Sequence, residues 1–341
     1  MLYGFLLLCN ETHIAKEVKM NGTLIVSLDF ELFWGMRDRH TIDEYSENVL
    51  GGRKAIPLLL DLFEKHGIHA TWATVGFQFA DGCKELIPFI PSDKLKPSYD
   101  DIKLSPYAEL MNCGESEEKA PCYFAPKLID EIAACEGQEI ASHTFSHYYC
   151  RESGQTASQF EADMLSAKAI AELHGYELRS AVLPRNQSTD EATEVLRKLH
   201  FTSYRDEEND WIHEKIKVTP LMRLLRLMDV YLPLTGQGGY IPKNEDGIVN
   251  LVGSRMYKPY FKPLAFLEPL KVHRIKKQML HAAKKGLTFH LWWHPHNIGV
   301  RTEWHLKQLE EIFSYYDELK KNYGMRSLNM EEAAQEVLSE K

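Results

Sequence analysis

The chain has 341 residues, of which 44% are hydrophobic and 26% charged, and its formal net charge at pH 7 is −9. This apolar content excludes a largely disordered chain, and the length allows one large barrel or two smaller domains. No run of 18 apolar residues occurs, so no integral membrane span is expected. The acidic balance argues against nucleic acid as a partner.

The first 19 residues differ from the rest of the chain. Residues 1–9 (MLYGFLLLC) are apolar but follow no Lys or Arg and precede no clear cleavage site. We therefore expect residues 1–19 to be a flexible or wrongly assigned extension rather than a signal peptide.

The six cysteines form no CxxC pair, which favours reduced thiols. A cytoplasmic location is expected, with export as the alternative.

From residue 20 onwards, the pattern alternates between strands and helices. The predicted strands are 23–29, 69–76, 138–142, 179–184, 201–205, 247–253 and 287–294, and the predicted helices are 56–67, 126–137, 157–175, 189–200, 219–229, 272–286 and two more at the end. Such alternation predicts a parallel sheet covered by helices, either open or closed into a barrel. We expect a single domain over residues 20–341, with insertions at about 81–125 and 206–270.

Titratable residues follow these strands at their carboxyl ends. They are Asp29 and Glu31 after the first strand, His143 and His147 after the third, Arg185, Arg205 and Asp206 after the next two, and His294 and His296 after the last. Because the carboxyl ends of parallel strands meet on one face, we expect one active-site mouth built from several strands.

Residues 142–147 (SHTFSH) are the most specific segment. One helical turn would place His143 and His147 on the same side, a spacing that can bind one metal ion. The internal glutamate of HExxH is absent, so a metalloprotease helix is not expected. A hydrolytic metal site also needs a third ligand and a base. Asp29 and Glu31, which are two residues apart on an extended strand, could supply one each.

Residues 290–297 (HLWWHPHN) supply a candidate acid. Pro295 fixes the backbone between His294 and His296, and two tryptophans provide an apolar surrounding. An imidazole facing the metal could protonate a leaving amine or stabilise an oxyanion. His294 lies nearer the strand end and is preferred over His296, whereas His290 is expected to have no role.

Five segments resemble, in order, the motifs of the polysaccharide deacetylases of carbohydrate esterase family four. They are SLDFE, SHTFSH, LPRNQ, EENDW and LWWHP, which together lie within residues 23–297. The resemblance implies an α/β fold of the distorted (β/α)7 barrel type. It also implies a divalent metal, with Zn2+ first among the candidates. The implied reaction is hydrolysis of an acetyl group, N- before O-acetyl, on a carbohydrate substrate. It leaves the oligomeric state open.

The resemblance also assigns roles, position by position. Asp29 would be the base, Glu31, His143 and His147 the metal ligands, Arg185 the residue that orients Asp29, and His294 the acid. Trp34, Trp211 and Trp293 are candidates to stack on sugar rings. The usual adjacent Asp-Asp is here Asp-Phe-Glu, so which carboxylate binds the metal stays open.

Three other functions fit parts of the pattern. The first is deformylation, or hydrolysis of another C–N bond, on a small sugar-like or ureide substrate. The second is a non-haem iron oxygenase, because two histidines and a carboxylate also bind that metal. The third is a carbohydrate-binding relative without catalysis. Acetate release in the absence of oxygen, lost in Asp29→Asn, would exclude the second and third.

Overall fold

A computed structural model describes residues 21–110, 113–207 and 219–339 of the chain. Its strands are β1 (Thr23–Phe30), β2 (Ala70–Thr74), β3 (Gln138–Ser142), β4 (Ser180–Val182), β5 (Ser203–Arg205), β6 (Lys243–Glu245), β7 (Ile248–Asn250), β8 (Arg255–Met256), β9 (Thr288–Trp293) and β10 (Arg326–Leu328). Its α-helices are α1 (Ile42–His66), α2 (Cys83–Leu86), α3 (Tyr107–Leu110), α4 (Pro126–Ala133), α5 (Ala157–Leu173), α6 (Asp190–Lys198), α7 (Pro220–Tyr231), α8 (Glu268–Lys285), α9 (Thr302–Tyr323) and α10 (Met330–Ser339).

The strands form one mostly parallel sheet in the order β6-β7-β5-β4-β3-β2-β1-β9-β8, and β10 pairs with the start of β1. β7 pairs with β5, and β8, five residues further on, pairs with β9. Between them the amide of Gly253 donates to Asp206 and that of Ser254 donates to His290. The segment from β7 to β8 therefore joins both ends of the sheet, although the strand-pairing hydrogen bonds along it are interrupted. The predicted α/β fold of the distorted (β/α)7 barrel type is confirmed.

Strand β1 is buried along its whole length. Leu24, Val26 and Leu28 belong to the large apolar cluster between the sheet and the surrounding helices. Ile25 belongs to a separate, smaller cluster, and Ser27 and Asp29 share its face of the strand because side chains alternate with a period of two. Burial on both faces explains why this strand reads as a nearly continuous apolar run.

The barrel interior has two layers of different chemistry. One is an apolar lower layer, which includes residues of α10: Ile25, Ala73, Val182, Val249, Leu251, Met330, Ala333 and Ala334. The other is a polar upper layer, which includes Asp29 of the candidate site: Ser27, Asp29, Asn186, Arg205 and His290, all at most 9% exposed. The candidate site opens above this upper layer.

Two glycines let α1 pack directly against the turn that follows β9. A Cβ atom on Gly51 would stand 2.1 Å from the carbonyl oxygen of Gly299, and one on Gly52 would stand 2.9 Å from the amide nitrogen of His296. Any side chain here would separate the helix from the turn. Backbone contact with α1 therefore fixes the segment that carries His294 and His296.

The predicted extension 1–19 lies outside the described residues, and the predicted domain limits stay predictions. Among its described residues, the insertion at 81–125 contains α2, α3 and short 3-10 turns and no strand, whereas 206–270 includes α7 and strands β6 to β8. None of the helices in the described part of the chain combines the length and the apolar character that crossing a membrane requires.

Candidate metal and catalytic site

Glu31 lies at the centre of a buried group with His143 and His147. Its Oε2 atom is 2.9 Å from Nε2 of His147 and 3.3 Å from Nε2 of His143. One possible ligand atom from each residue lies within 4.8 Å of the others, and each residue is at most 4% exposed. Two imidazole nitrogens and a carboxylate oxygen suit Zn2+ and leave a fourth position open. This donor set therefore fits a divalent cation.

The two histidines meet through a loop and not through the predicted helical turn. Thr144 and His147 both have left-handed backbone angles, with φ of 63° and 58°. The buried carboxylate of Asp163, from α5, accepts hydrogen bonds from the amide of Phe145 at 2.7 Å and from the hydroxyl of Ser146. Asp163 thus stabilises a strained turn that aims both imidazoles at Glu31.

The protonation states of the group also suit a metal. Burial lowers the pKa of His147 to about 4, so this imidazole is neutral near neutral pH. Its Nδ1 lies 3.1 Å from the hydroxyl oxygen of Tyr149, which can accept the Nδ1 proton when Nε2 binds a metal ion. Burial raises the pKa of Glu31, but the neighbouring imidazoles outweigh it and hold that pKa well below its ordinary value. A neutral imidazole at His147 and a carboxylate at Glu31 are the forms that ligate a metal.

Gly35 provides the space that the Glu31 carboxylate occupies. A Cβ atom at this position would stand 2.0 Å from Cδ and 2.2 Å from Oε1 of Glu31. Such an overlap would force the carboxylate away from the histidines. The glycine four residues after Glu31 is therefore part of the site, although no sequence motif indicates its role.

Asp29 is the second carboxylate of the site and has a different partner. Its Oδ2 accepts a hydrogen bond from Nη2 of Arg205 at 2.7 Å, and its buried Oδ1 has no hydrogen-bond partner among the described residues. Burial raises the pKa of Asp29, but Arg205, with His294 and His143, outweighs it and leaves the pKa below its ordinary value. Asp29 is therefore ionised at neutral pH and has one oxygen available to accept a proton.

Arg205, and not Arg185, contacts Asp29. Arg205 is fully buried at the end of β5, and its guanidinium lies 4.2 Å from the ring centre of Trp292. Its Nε and Nη2 donate to Oδ1 of Asn186 at 3.1 and 2.9 Å. A guanidinium fixed in this way is a rigid donor for the carboxylate. The sequence places Arg205 at a strand end, but nothing in it distinguishes its role from that of Arg185.

The assignment of Arg185 as the residue that orients Asp29 is wrong in this structure. Arg185 follows β4 with φ of 57°, and its Nη2 is 2.5 Å from Asp38 and its Nη1 3.0 Å from Glu152. Its guanidinium also lies 4.2 Å from the ring centre of Tyr149. The turn after β4 thus directs this side chain towards the rim of the pocket, while Arg205 reaches Asp29 from inside the barrel.

His290, which we expected to have no role, supports Arg205 from below. Its Nδ1 lies 3.1 Å from the carbonyl oxygen of Leu251, and its Nε2 lies 2.7 Å from Oγ of Ser27. Burial lowers its pKa to about 3, so the ring is neutral; Nδ1 donates and Nε2 accepts the Ser27 proton. The Ser27 oxygen in turn accepts from Nη1 of Arg205 at 2.8 Å. The period of β9, with His290 and Trp292 facing inwards, is the sequence signal for this contact.

His294 stands between the two carboxylates. Its Nε2 is 3.6 Å from Oδ2 of Asp29 and 3.6 Å from Oε1 of Glu31, and its side chain is 19% exposed at the pocket. His296 is more deeply buried, with Nε2 3.8 Å from Oε1 of Glu31, and burial lowers its pKa to about 3. Of the two, His294 has the accessible position that an acid needs.

The tryptophans proposed to stack on sugar are placed differently. Trp34 is fully buried, packs against Phe77 and donates to the carbonyl of Tyr123 at 2.8 Å. Trp293 is fully buried as well, because it faces outwards from β9 into the helix layer. Neither can contact a substrate in this structure, and Trp211 lies outside the described residues. Trp292, one residue before Trp293 and on the opposite face, lines the pocket instead.

The pocket above these residues has a volume of about 270 Å3. It is lined by Asp29, Glu31, His147, Arg185, Trp292 and His294, among others. A neighbouring cavity of about 170 Å3 shares Asn186, Met256 and Trp292 with it. The site residues named above therefore face a cleft with room on one side for a longer substrate.

Comparison with known protein families gives a match over part of the chain. Residues 41–204 match the family model described as polysaccharide deacetylase, a range that includes His143 and His147 but not β1 or β9. None of the curated proteins compared with the chain matches it.

Solved structures with the same fold share little sequence with this chain. One is a candidate polysaccharide deacetylase from Mycobacterium smegmatis, with 13% identity, a TM-score of 0.56, and coverage of 93% of this chain and 91% of that one. A second candidate polysaccharide deacetylase, from Pseudomonas aeruginosa PAO1, gives the same values. The Puue allantoinase has 12% identity, a TM-score of 0.56, and coverage of 94% and 91%. At these identities the likeness establishes the fold alone.

Proposed function

We propose that this chain is a metal-dependent hydrolase that removes an N-acetyl group from a carbohydrate. The motifs that resemble those of the polysaccharide deacetylases, the family-model match over residues 41–204 and the shared fold support this proposal. One observation carries the proposal. Glu31, His143 and His147 form a buried donor set, and Asp29 and His294 border the same pocket. Acyl hydrolysis at a metal site needs this combination of ligands, base and acid.

Glu31, His143 and His147 would hold a divalent cation, with Zn2+ first among the candidates for this donor set. When bound, such a cation supplies a Lewis acid that polarises the acyl carbonyl and lowers the pKa of the attacking water. The buried position of the three residues keeps competing water away. Their low exposure also keeps the electrostatic field around the acyl group strong.

Asp29 would accept the proton of the attacking water. Its Oδ1 is the buried oxygen without a partner, while Arg205 occupies Oδ2 at 2.7 Å and fixes the plane of the carboxylate. The chain of hydrogen bonds from Leu251 through His290 and Ser27 holds Arg205 in turn. Asp29 therefore stays ionised and oriented without a substrate, as a general base requires.

His294 would return a proton to the leaving group. An amide nitrogen must be protonated before the C–N bond breaks, and His294 is the exposed imidazole nearest to both carboxylates. The side chain of Asn297 lies 3.2 Å from its Nδ1 and fixes the ring. A dedicated acid of this kind supports N-acetyl over O-acetyl substrates.

The complete set of ligands, base and acid supports catalysis over a binding role without chemistry. The cleft beside Trp292 supports a substrate longer than the acyl group and its immediate sugar. In this position Trp292 takes the sugar-stacking role proposed from the sequence for Trp34 and Trp293.

The test combines metal analysis with substrate profiling. The purified protein is assayed for bound metal, stripped with a chelator, and reloaded with Zn2+ or other divalent cations. Acetate release is then measured, with oxygen excluded, on a panel of N-acetylated, O-acetylated and N-formylated oligosaccharides and a ureide. Metal-dependent release of acetate from N-acetylated members is the expected result. Turnover confined to formylated or ureide compounds would overturn the substrate assignment and keep the hydrolase.

A further inference from the structure

Apolar side chains exposed to solvent are concentrated in one part of the chain. Nine of the sixteen large hydrophobic residues exposed in the described residues lie between positions 221 and 270. Leu221 is 64% exposed, Leu224 54% and Phe266 75%. Single exposed leucines are common on soluble proteins, but a group of this size marks an interaction surface.

Helix α7 provides one half of this group. Eight of its twelve residues are Leu, Met, Val or Tyr, yet only Asp229 and Tyr231 are buried. Leu221, Leu224 and Met228 recur at the three- and four-residue spacing that forms one helical face. Helix α7 therefore packs against the rest of the protein only on its inner side, and its outer face is apolar and exposed.

The segment before α8 provides the other half and lies next to α7. The hydroxyl of Tyr231 donates to Oε1 of Glu268 at 3.3 Å, and the amide of Phe261 lies 3.5 Å from the same oxygen. Asp229 is paired with Arg274 of α8 at 2.8 Å. These contacts place the end of α7 beside the start of α8. We call the exposed apolar side chains of these two segments the rim surface: Leu221, Leu224, Met228, Leu232, Phe261, Phe266 and Leu270.

The rim surface is positively charged, in a protein that is acidic overall. Residues 219–286 contain twelve Lys and Arg against four Asp and Glu, whereas the whole chain has a net charge of −9. Two of the four acids, Asp229 and Glu268, are buried against three of the cations, Arg255, Arg274 and Lys271, which leaves nine cations against two acids. Arg223, Lys262 and Lys277 are exposed among the apolar side chains. This charge is complementary to an anionic partner.

We propose that the rim surface docks peripherally on an anionic lipid membrane. An amphipathic helix that carries leucines together with arginines is the usual form of an interfacial element. Basic side chains beside it add attraction to acidic headgroups. An acidic protein could pair with the cations, but lipid also covers isolated, protruding side chains such as Phe266. Membrane docking does not depend on the hydrolase activity proposed above.

The position of α7 gives the docking a consequence for the site. Arg226, Asp229 and Val230, on the inner side of this helix, line the cavity that shares Trp292 with the catalytic pocket. The opening of the cleft therefore lies beside the rim surface. A carbohydrate attached to the membrane would reach the pocket without leaving the lipid surface.

Vesicle sedimentation of the full chain tests this inference. The probes are vesicles of phosphatidylcholine alone and vesicles of equal parts phosphatidylcholine and phosphatidylglycerol. We expect binding to the anionic vesicles, at least about 10-fold weaker binding to the neutral ones, and weaker binding as salt is raised. No sedimentation with anionic vesicles above a vesicle-free control overturns the proposal.

Paired variants identify the surface. Leu224→Ser with Phe266→Ser should weaken binding to anionic vesicles by about 10-fold or more, because two apolar contacts are lost. Leu165→Ser with Leu173→Ser, on α5, removes side chains that are 50% and 61% exposed and should leave binding unchanged. Arg223→Glu with Lys262→Glu should weaken binding, whereas Lys54→Glu with Lys127→Glu, exposed on α1 and α4, should not.

If Leu224→Ser with Phe266→Ser weakens vesicle binding no more than Leu165→Ser with Leu173→Ser does, the rim surface is not the docking site. Light scattering supplies the alternative outcome. If the wild type is a dimer that the rim variants convert to monomers, and vesicles do not bind, a second copy covers the rim surface and the membrane proposal is wrong. Thermal unfolding checks that every variant is folded, and Phe266→Ser alone replaces the double variant if that one is not.

Discussion

The same barrel strands carry two layers that differ completely in chemistry. In β1, Ile25 lies in the apolar lower layer, while Ser27 and Asp29, two and four residues later on the same face, lie in the polar upper layer. The lower layer contains apolar side chains packed under α10. The upper layer contains a buried arginine, a carboxylate and a neutral histidine joined by hydrogen bonds.

The difference shows how the fold separates stability from chemistry. Burying the polar upper layer costs free energy unless every group has a partner. The apolar lower layer contributes stability through packing and carries no reactive group. Substitutions in the upper layer should therefore change catalysis first, and substitutions in the lower layer should change stability first. The following experiments test that separation, from the largest expected effect to the smallest.

His147→Ala should give the largest loss of function. It removes one of the nitrogens that converge with Glu31, and two ligands hold a divalent cation poorly. We expect the purified variant to contain little metal by elemental analysis and to release no acetate above background. Retention of stoichiometric metal would show that the cation is held elsewhere.

Asp29→Asn should keep the metal and lose turnover. The amide cannot accept a proton, so kcat should fall by at least about 100-fold, the usual scale for loss of a general base. Metal content and the thermal unfolding temperature are measured alongside. An Asp29→Asn enzyme with full activity would exclude Asp29 as the base and point to Glu31.

Met330→Ala tests the lower layer. Met330 is fully buried under the barrel, and its truncation should lower the free energy of unfolding by about 2–5 kcal/mol. Urea unfolding measures this loss, and acetate release per folded molecule should stay at the wild-type value. A parallel fall in kcat would break the proposed separation of the two layers.

Arg205→Lys compared with Arg185→Lys tests the corrected assignment. A lysine at 205 cannot hold Asp29, Ser27 and Asn186 at once, so kcat should fall by about 10-fold with KM and metal content nearly unchanged. Arg185→Lys keeps a cation near Asp38 and Glu152, and its kcat should stay near wild type. The reverse order of effects would restore the original role of Arg185.

His290→Gln should change the pH dependence of stability. The folded pKa of His290 is about 3, below its unfolded value, so the unfolded chain binds a proton that the folded chain excludes as pH falls below about 6.5. This lowers the stability of the wild type by up to about 1.4 kcal/mol per pH unit, and the variant lacks that contribution. Urea unfolding at several pH values should show a shallower acid decline for the variant. Parallel declines would show that His290 is not responsible.

The sequence predicted much of the fold because its patterns are local. Residues 138–142 match β3 at both ends, and the helix predicted at 157–175 agrees with α5 to within two residues. The first half of α1 was missed because Gly51, Gly52 and Pro57 interrupt its helical pattern. Strand β10 is too short to show a pattern, and its pairing with β1 joins residues three hundred positions apart.

The sequence predicted the site in part, and the errors in that prediction have one cause. The convergence of Glu31 with His143 and His147 follows from the rule that strand ends share one face. Choosing between Arg185 and Arg205, or between Trp292 and Trp293, requires knowing which way each side chain leaves the backbone. A positive φ after β4, which no motif shows, decides the first choice, and the inward face of β9, which the period of that strand indicates, decides the second.

The glycine pair in α1 has a consequence for the proposed acid. With no side chain between them, the axis of α1 and the turn after β9 lie a fixed distance apart. The position of His294 therefore depends on a helix that does not line the pocket. Gly51→Ala would push that turn outwards by the width of one methyl group. Gly51→Ala would thus alter proton delivery without changing Asp29 or His294 themselves, and Glu31, His143 and His147 would stay where they are.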